Sequence, residues 1–124
     1  KWTYSKTNEL EGYDIGIKEG HKLMTNHMTR LYEILKKNNI KMSIAVYPWP
    51  HQLNNDIENS LQVTIWKDFC ENRCENFINY FPFFFDDMNN SSFLETYNKF
   101  YFKNDPHFNK SGHKVLAKKL IEIF

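Results

Sequence analysis

Glycine and proline are scarce in this 124-residue chain, four of each, and cysteine occurs only twice. So few glycines, spread along the chain, cannot build the glycine-rich loop that cradles phosphates, which excludes that class of nucleotide site. The cysteines, Cys70 and Cys74, lie in WKDFCENRCENF. A CxxxC pair is not the CxxC of redox proteins, and with no second pair it is not half of a zinc site. No apolar run approaches the roughly 20 residues that span a bilayer. No signal peptide is visible either. Charge of one sign is also missing, since sixteen basic and fifteen acidic side chains leave a formal +1. That balance gives no electrostatic case for nucleic acid or an anionic membrane as partner. The five histidines show neither HxxxH nor HxH spacing, so no metal site and no cofactor are expected.

Aromatic residues are plentiful, with eleven Phe and seven Tyr making most of a 17% aromatic share. Such a chain has ample material for a core, unlike a disordered segment, which has few aromatics and a large net charge. The length fits one domain or a piece of one. KWTYSKTNELEGYDIG reads as an arrival into structure already under way, and SGHKVLAKKLIEIF as a terminal helix running to a natural stop. On that reading residues 1–124 are a single incomplete domain, the C-terminal part of a longer protein.

Residues 21–38 carry Met24, Met28, Leu31 and Leu35, with Leu23, His27 and Ile34 alongside. That 3.6-residue period predicts an amphipathic helix with one buried stripe, closed by Asn38 and Asn39. Ile40, Met42, Ile44 and Val46 then alternate with Lys41, Ser43, Ala45 and Tyr47, as in a strand that Pro48 and Pro50 end. A second helical stripe, Leu61, Ile65 and Phe69, precedes a second short strand, FINYFP at 77–82, stopped by its proline. Phe93, Tyr97, Phe100 and Tyr101 follow at helical spacing. The last helix sets Val115, Leu116, Leu120 and Ile123 on one side, with Asn109 or Ser111 as cap. Helix, strand, helix, strand, helix is the rhythm of an α/β domain with a parallel sheet. Its chemistry belongs at the carboxyl ends of the strands, here the loops YPWPHQL and PFFFDDMNN through NDPHFN.

The candidate chemistry is Asp105–Pro106–His107. A carboxylate beside an imidazole fixes its tautomer and stabilises the imidazolium formed in proton transfer. The same residues would also make a plain helix start, with Asp105 and Asn109 organising the turn and His107 exposed. Trp49, between two prolines at a strand exit, has two readings: a face for a sugar ring, or packing over the sheet end. His51 is either a polar contact in the same cleft or a solvated loop histidine. His113, one turn into the last helix, reads as a structural or capping residue.

NDPHFNKSGHKVLAKKL resembles the last block of the SGNH (GDSL-like) hydrolase superfamily. IAVYPWPHQL and FINYFPFFF resemble its penultimate strand with a Pro-rich exit and the strand preceding the catalytic block. The spacing is Asp-x-His rather than the commoner Asp-x-x-His. It is similar to the Asp-x-His-Trp-Asn form of polysaccharide O-acetylation and cell-envelope members, with Phe108 in place of Trp. The resemblance covers most of residues 20–124. It implies the C-terminal part of a flavodoxin-like three-layer domain. It further implies a serine esterase or O-acyltransferase acting on acyl esters, including O-acetyl groups of carbohydrate, with His107 as base and Asp105 orienting it. The family nucleophile and oxyanion donors belong to upstream blocks, and none of Ser5, Ser43, Ser60, Ser91, Ser92 or Ser111 sits in a Gly-Asp-Ser setting. A catalytically silent module binding glycan or a membrane acyltransferase partner is the alternative. Cys70 and Cys74 are either a buried and a free thiol, or a local disulfide with the helix ending at about Asn72. A disulfide would point to an oxidising compartment such as a periplasm or cell envelope.

Overall fold

A computed structural model describes residues 16–124. Their order is α1 (Ile17–Lys37), β1 (Ser43–Val46), α2 (Pro50–Asn55), α3 (Leu61–Cys70), β2 (Asn76–Asn79), α4 (Phe81–Asn90), α5 (Phe93–Phe100) and α6 (Lys110–Ile121). The strands pair as a two-stranded parallel sheet, so the domain is α/β as expected. The described residues divide into two compact units, 16–44 with Thr64–Phe77, and Ala45–Val63 with Ile78–Phe124.

In the first unit α1 ends as the double asparagine predicts. Asn39 adopts a positive φ of 55°, its N–H bonds Lys36 O, and Ile40 N–H reaches back to Leu35 O at 2.9 Å. These are the two bonds of a Schellman cap, with Asn where Gly is commoner. The cap uses Ile40 N–H, so β1 starts at Ser43 rather than Ile40. The core of this unit is Met42, Phe69 and Cys70, covered by Met28, Tyr32, Leu35 and Trp66 among others. The predicted α1 stripe is corrected at Leu23, Leu31 and Ile34, which are exposed. Tyr32 packs on the core, while Leu31 and Ile34 stay 43% and 59% exposed. Met28, Tyr32 and Leu35 have the i, i+4, i+7 spacing of a helix face, and the large Tyr ring fills it.

α3 ends at Cys70, two residues before the expected Asn72, and a turn leads to Cys74. Cys70 and Cys74 are joined by a disulfide with Cα atoms 4.7 Å apart, inside the usual span for a bridge.

Two boundaries in the second unit differ from expectation for one reason. FINYFP ends as a strand at Asn79, and its proline opens α4 instead of stopping a strand. Likewise Pro50 opens α2 inside what the sequence suggests is a loop. Proline has no N–H to give a strand ladder, but the first turn of a helix has no use for that N–H. PFFFDDMNN is therefore helix. With Phe81 before it, it makes up α4, which seats Phe81, Phe84 and Phe85 in the core.

Phe84 is the hub of that core, with ring centroids 5.3 Å from Phe100, 5.2 Å from Phe108 and 6.1 Å from Tyr101. α5 packs against α4 and α6, and α2 against α4 and α5. Buried Thr96 donates to Asp87 Oδ2 at 2.8 Å, and Lys99 pairs with the same carboxylate, tying α5 to α4. Asn109, not Ser111, caps α6, its Oδ1 accepting from the N–H groups of Ser111 and Gly112. Leu120 is exposed rather than part of the inner side of α6, where Val115 and Leu116 are half-buried; Ile123, also half-buried, follows the end of the helix.

Gly112 has no room for a side chain: a Cβ there would lie 2.4 Å from Phe100 O and 2.6 Å from the Phe108 ring. Gly112→Ala should destabilise the fold by about 1–3 kcal/mol. Gly20→Ala, where a Cβ meets nothing within 4 Å, should stabilise helix α1 by about 0.5–1 kcal/mol. Urea midpoints measured on the two variants check both signs. The disulfide closes a very short loop and should contribute about 2 kcal/mol on the chain-entropy view. Native protein should offer iodoacetamide no thiol before reduction, and alkylation of both cysteines without reductant would refute the bridge.

Candidate functional site

The Asp105–His107 turn is held at both ends. Tyr101 leaves α5 in an extended conformation and pairs with Phe108 in an antiparallel bridge, and Phe102 N–H donates to His107 O at 3.0 Å. The intervening loop reverses at Asn104, whose φ of 60° is a conformation that Asn tolerates better than most residues. Tyr97 braces the inside of the loop. Its hydroxyl donates to Phe102 O at 2.8 Å and accepts from Asp105 N–H at 3.0 Å. Phe108 is buried, its ring 4.7 Å from Tyr101 and 5.2 Å from Phe84. Asn109 then bonds inward and caps α6. The extended backbone sends alternate side chains to opposite sides, so burying Phe108 turns His107 outward.

Asp105 and His107 meet. Asp105 Oδ1 accepts the His107 backbone N–H at 2.7 Å and lies 2.6 Å from His107 Nδ1. An ionised carboxylate only accepts, so Nδ1 carries a proton, and in the neutral ring it is Nε2 that presents the lone pair. The first of these contacts, then the second, holds the Asp105 carboxyl below the usual carboxylate range. The His107 side chain is 81% exposed and that of Asp105 46%.

Trp49 and His51 come to the same place. Buried Tyr101 donates its hydroxyl to Pro48 O at 2.7 Å, which fixes the exit of β1 against the bridge that carries the turn. Burial pushes the Tyr101 hydroxyl well above the usual tyrosine value, and the neighbouring Tyr47 adds to this. Two hollows flank the turn. A small one of about 160 Å³ has His107, Tyr47, Trp49 and His113 in its wall. A larger one of about 390 Å³ has Asp105, Trp49, His51, Phe93, Tyr97 and Asn104 among its lining residues. Trp49 and Pro106 belong to both. His51 Nδ1 lies 3.3 Å from Asn55 Nδ2.

The serines lie elsewhere. Ser43 accepts from Asn76 in the first unit, Ser60 accepts from Val63 N–H, and Ser91 donates to Asp87 O. Ser92 caps α5 and Ser111 stands in the first turn of α6. Among the described residues no serine is hydrogen-bonded to His107; Ser5 falls outside them. The sequence singles out neither Tyr97 nor Asn104 nor Phe93 for the site. Tyr97 and Phe93 read there as helical packing, and only the Asn-Asp-Pro triplet signals the turn.

No family model, curated protein or solved structure shows significant similarity to the chain. Among the described residues no helix is long and apolar enough to cross a membrane.

Tyr101→Phe leaves Pro48 O without its buried donor and should cost about 1–3 kcal/mol. It should also change the alkaline limb of stability. The folded-state value of Tyr101 is raised, so its contribution is complete below the unfolded tyrosine value of about 10 and is lost as pH climbs above it. Thermal melts at rising alkaline pH should fall less steeply for Tyr101→Phe than for wild type. For Asp105 the sign is opposite. Its lowered value makes the contact fully favourable above the ordinary carboxylate range and lost as pH falls through the depressed value. A carboxyl ¹³C titration should place Asp105 below the free amino acid.

Proposed function

We propose that the chain is the C-terminal part of a flavodoxin-like SGNH domain. Its parent is a serine esterase or O-acyltransferase acting on acyl esters, O-acetyl groups of carbohydrate among them. The observation that carries this reading is the double contact of Asp105 Oδ1, to the backbone and to Nδ1 of His107. That contact sets the tautomer a general base needs and keeps the ring in place. The approach of the β1 exit to the turn, through Tyr101 and Pro48, supports it, as does the order of the resembling segments. The disulfide supports an extracytoplasmic setting, in a periplasm or cell envelope.

The chemistry follows in two balanced halves. A serine from outside residues 16–124 adds its oxygen to the ester carbonyl carbon, and its proton passes to His107 Nε2. The tetrahedral intermediate expels the alcohol oxygen, which takes that proton, and an acyl-serine remains. Water or a sugar hydroxyl then adds in the same way with His107 again as base. This releases either the acid or a new ester and restores the serine. Asp105 stays ionised throughout and stabilises the imidazolium.

The exposure of His107 and the absence of a bonded serine among the described residues favour a second reading, a silent module that binds glycan or a membrane acyltransferase partner. Turnover by the intact protein separates the two. His107→Ala should lower kcat about 10⁴–10⁶-fold and lower Tm only slightly, since the side chain is exposed and the backbone contact to Asp105 remains. Residues 1–124 alone should hydrolyse no aryl acetate above background and take no fluorophosphonate label. Stoichiometric labelling of that chain would place the nucleophile among its own six serines and overturn the assignment of the serine to another segment.

A further inference from the structure

The formal charge of +1 is unevenly spread along the chain. Residues 99–124 hold six lysines against two carboxylates, Asp105 and Glu122. Lys99 is paired with Asp87, and Lys119 lies 3.8 Å from Glu122. Lys110, Lys114 and Lys118 are exposed on α6 and make no ion pair or hydrogen bond with a described residue. They recur every four positions, and Ile121 falls three after Lys118 and seven after Lys114. At helical spacing all four therefore share one side of α6. Ile121 is 79% exposed, and Phe124, just beyond the helix, is 75% exposed. Beside Lys118 an open hollow of about 460 Å³ lies between the start of α4 and the second half of α6. Pro82, the exposed Phe83 and Val115 form its apolar wall, with Lys118 and Lys119 also lining it.

We propose that this side of α6, with the hollow beside it, is a peripheral docking surface for an anionic lipid bilayer. A row of cations alone would be an ordinary solvated face, and apolar side chains alone would suit many partners. Here both stand together, as the interface of an anionic bilayer requires. Lysine stems lie along apolar groups while their ammonium ends reach the headgroups. Ile121 and Phe124 enter the boundary of headgroups and acyl chains, and the hollow receives a segment of lipid tail. The kind of cation separates a lipid surface from a protein one. The chain's two arginines, Arg30 and Arg73, belong to the first unit, so every fixed cation of the second unit is a lysine. Lysine is depleted at protein interfaces, whereas arginine is enriched there and brings a planar fork. A diffuse sheet of headgroup charge needs no fork. It needs point charges within a Debye length, about 8 Å at physiological salt. Glu122 stands beside Lys119 and leaves the three lysines of the row uncompensated. The surface acts whether or not His107 turns over an ester, so it and the catalytic reading fail separately.

The test is sedimentation of the full chain with vesicles of phosphatidylcholine, alone or mixed with an equal share of phosphatidylglycerol. The chain should sediment with the mixed vesicles, remain free of the pure phosphatidylcholine ones, and be released as salt rises. Replacing Lys110, Lys114 and Lys118 together by Gln should weaken binding about 100-fold, from about fivefold for each lysine near the surface. Ile121→Ser combined with Phe124→Ser should weaken it about tenfold. All five side chains are exposed, so the circular dichroism of both variants should match wild type. Lipids carrying a doxyl group should broaden the amide signals of Ile121 and Phe124 in the wild-type chain more than those of the Asp105–His107 turn. The lipid, salt and broadening measurements use wild type alone and decide the matter even where a variant fails to fold. No sedimentation at about 1 mM mixed lipid overturns the proposal. Equal binding to pure phosphatidylcholine, broadening centred away from α6, or unaltered binding by the folded lysine variant would also overturn it. A short DNA duplex that binds as tightly as the mixed vesicles would make the face a general polyanion site and overturn it too.

Discussion

One side-chain amide joins most of what matters in the second unit. Asn109 Nδ2 donates to Lys99 O and Tyr101 O at 3.1 Å each, while its Oδ1 accepts from the first turn of α6. Its backbone N–H bonds Phe100 O at 2.9 Å. The end of α5, where carbonyls lack partners, and the start of α6, where N–H groups lack them, are thus satisfied by one residue. Replacing the amide by an apolar group would leave several such groups unpaired at once. The His-Phe-Asn run then has a physical reading: the histidine faces solvent, the phenylalanine anchors, and the asparagine fastens two helices. The dyad geometry is a by-product of that fastening, since the residue before the anchor has only one side left to occupy.

Much of the architecture was legible in the sequence. The helix–strand alternation, the asparagine stop of α1, the cap of α6 and the parallel pair all follow from periodicity and end signals. What was not legible came from residues that suit two roles. Pro50 and Pro82 end a strand ladder and open a helix with the same missing N–H, and the sequence alone does not say which comes first. Ile40 continues an alternating apolar pattern, but its backbone is taken by the helix before it. Leu31 and Tyr32 compete for one face of α1, and the choice rests on the shape of the facing core, Met42 and Phe69, which periodicity does not carry.

The site divides in the same way. Asp105 and His107 were legible because their partnership is local, two residues apart. The neighbours that give the turn its surroundings were hidden. Tyr97 and Phe93 sit at i, i+4 on α5, the spacing of ordinary core packing, and only the folded loop reveals that the Tyr97 hydroxyl props up Asp105. The bond from Tyr101 to Pro48 spans 53 positions, and no local pattern announces it. Trp49 was open between two roles, and it lines both hollows.

The contacts that shape the turn are nearly all short in sequence, from Tyr97 to Gly112, and the Tyr101–Phe108 bridge closes over seven residues. Contacts of that range form in microseconds, long before a parallel sheet with a crossover connection can assemble. A nascent or partly unfolded chain would therefore hold Asp105 against His107 early, and the Tyr101–Pro48 bond would arrive late. The order of events makes the turn a preformed platform on which the β1 exit, with Trp49, later lands. Slow or defective sheet formation would then spare the dyad and lose its walls.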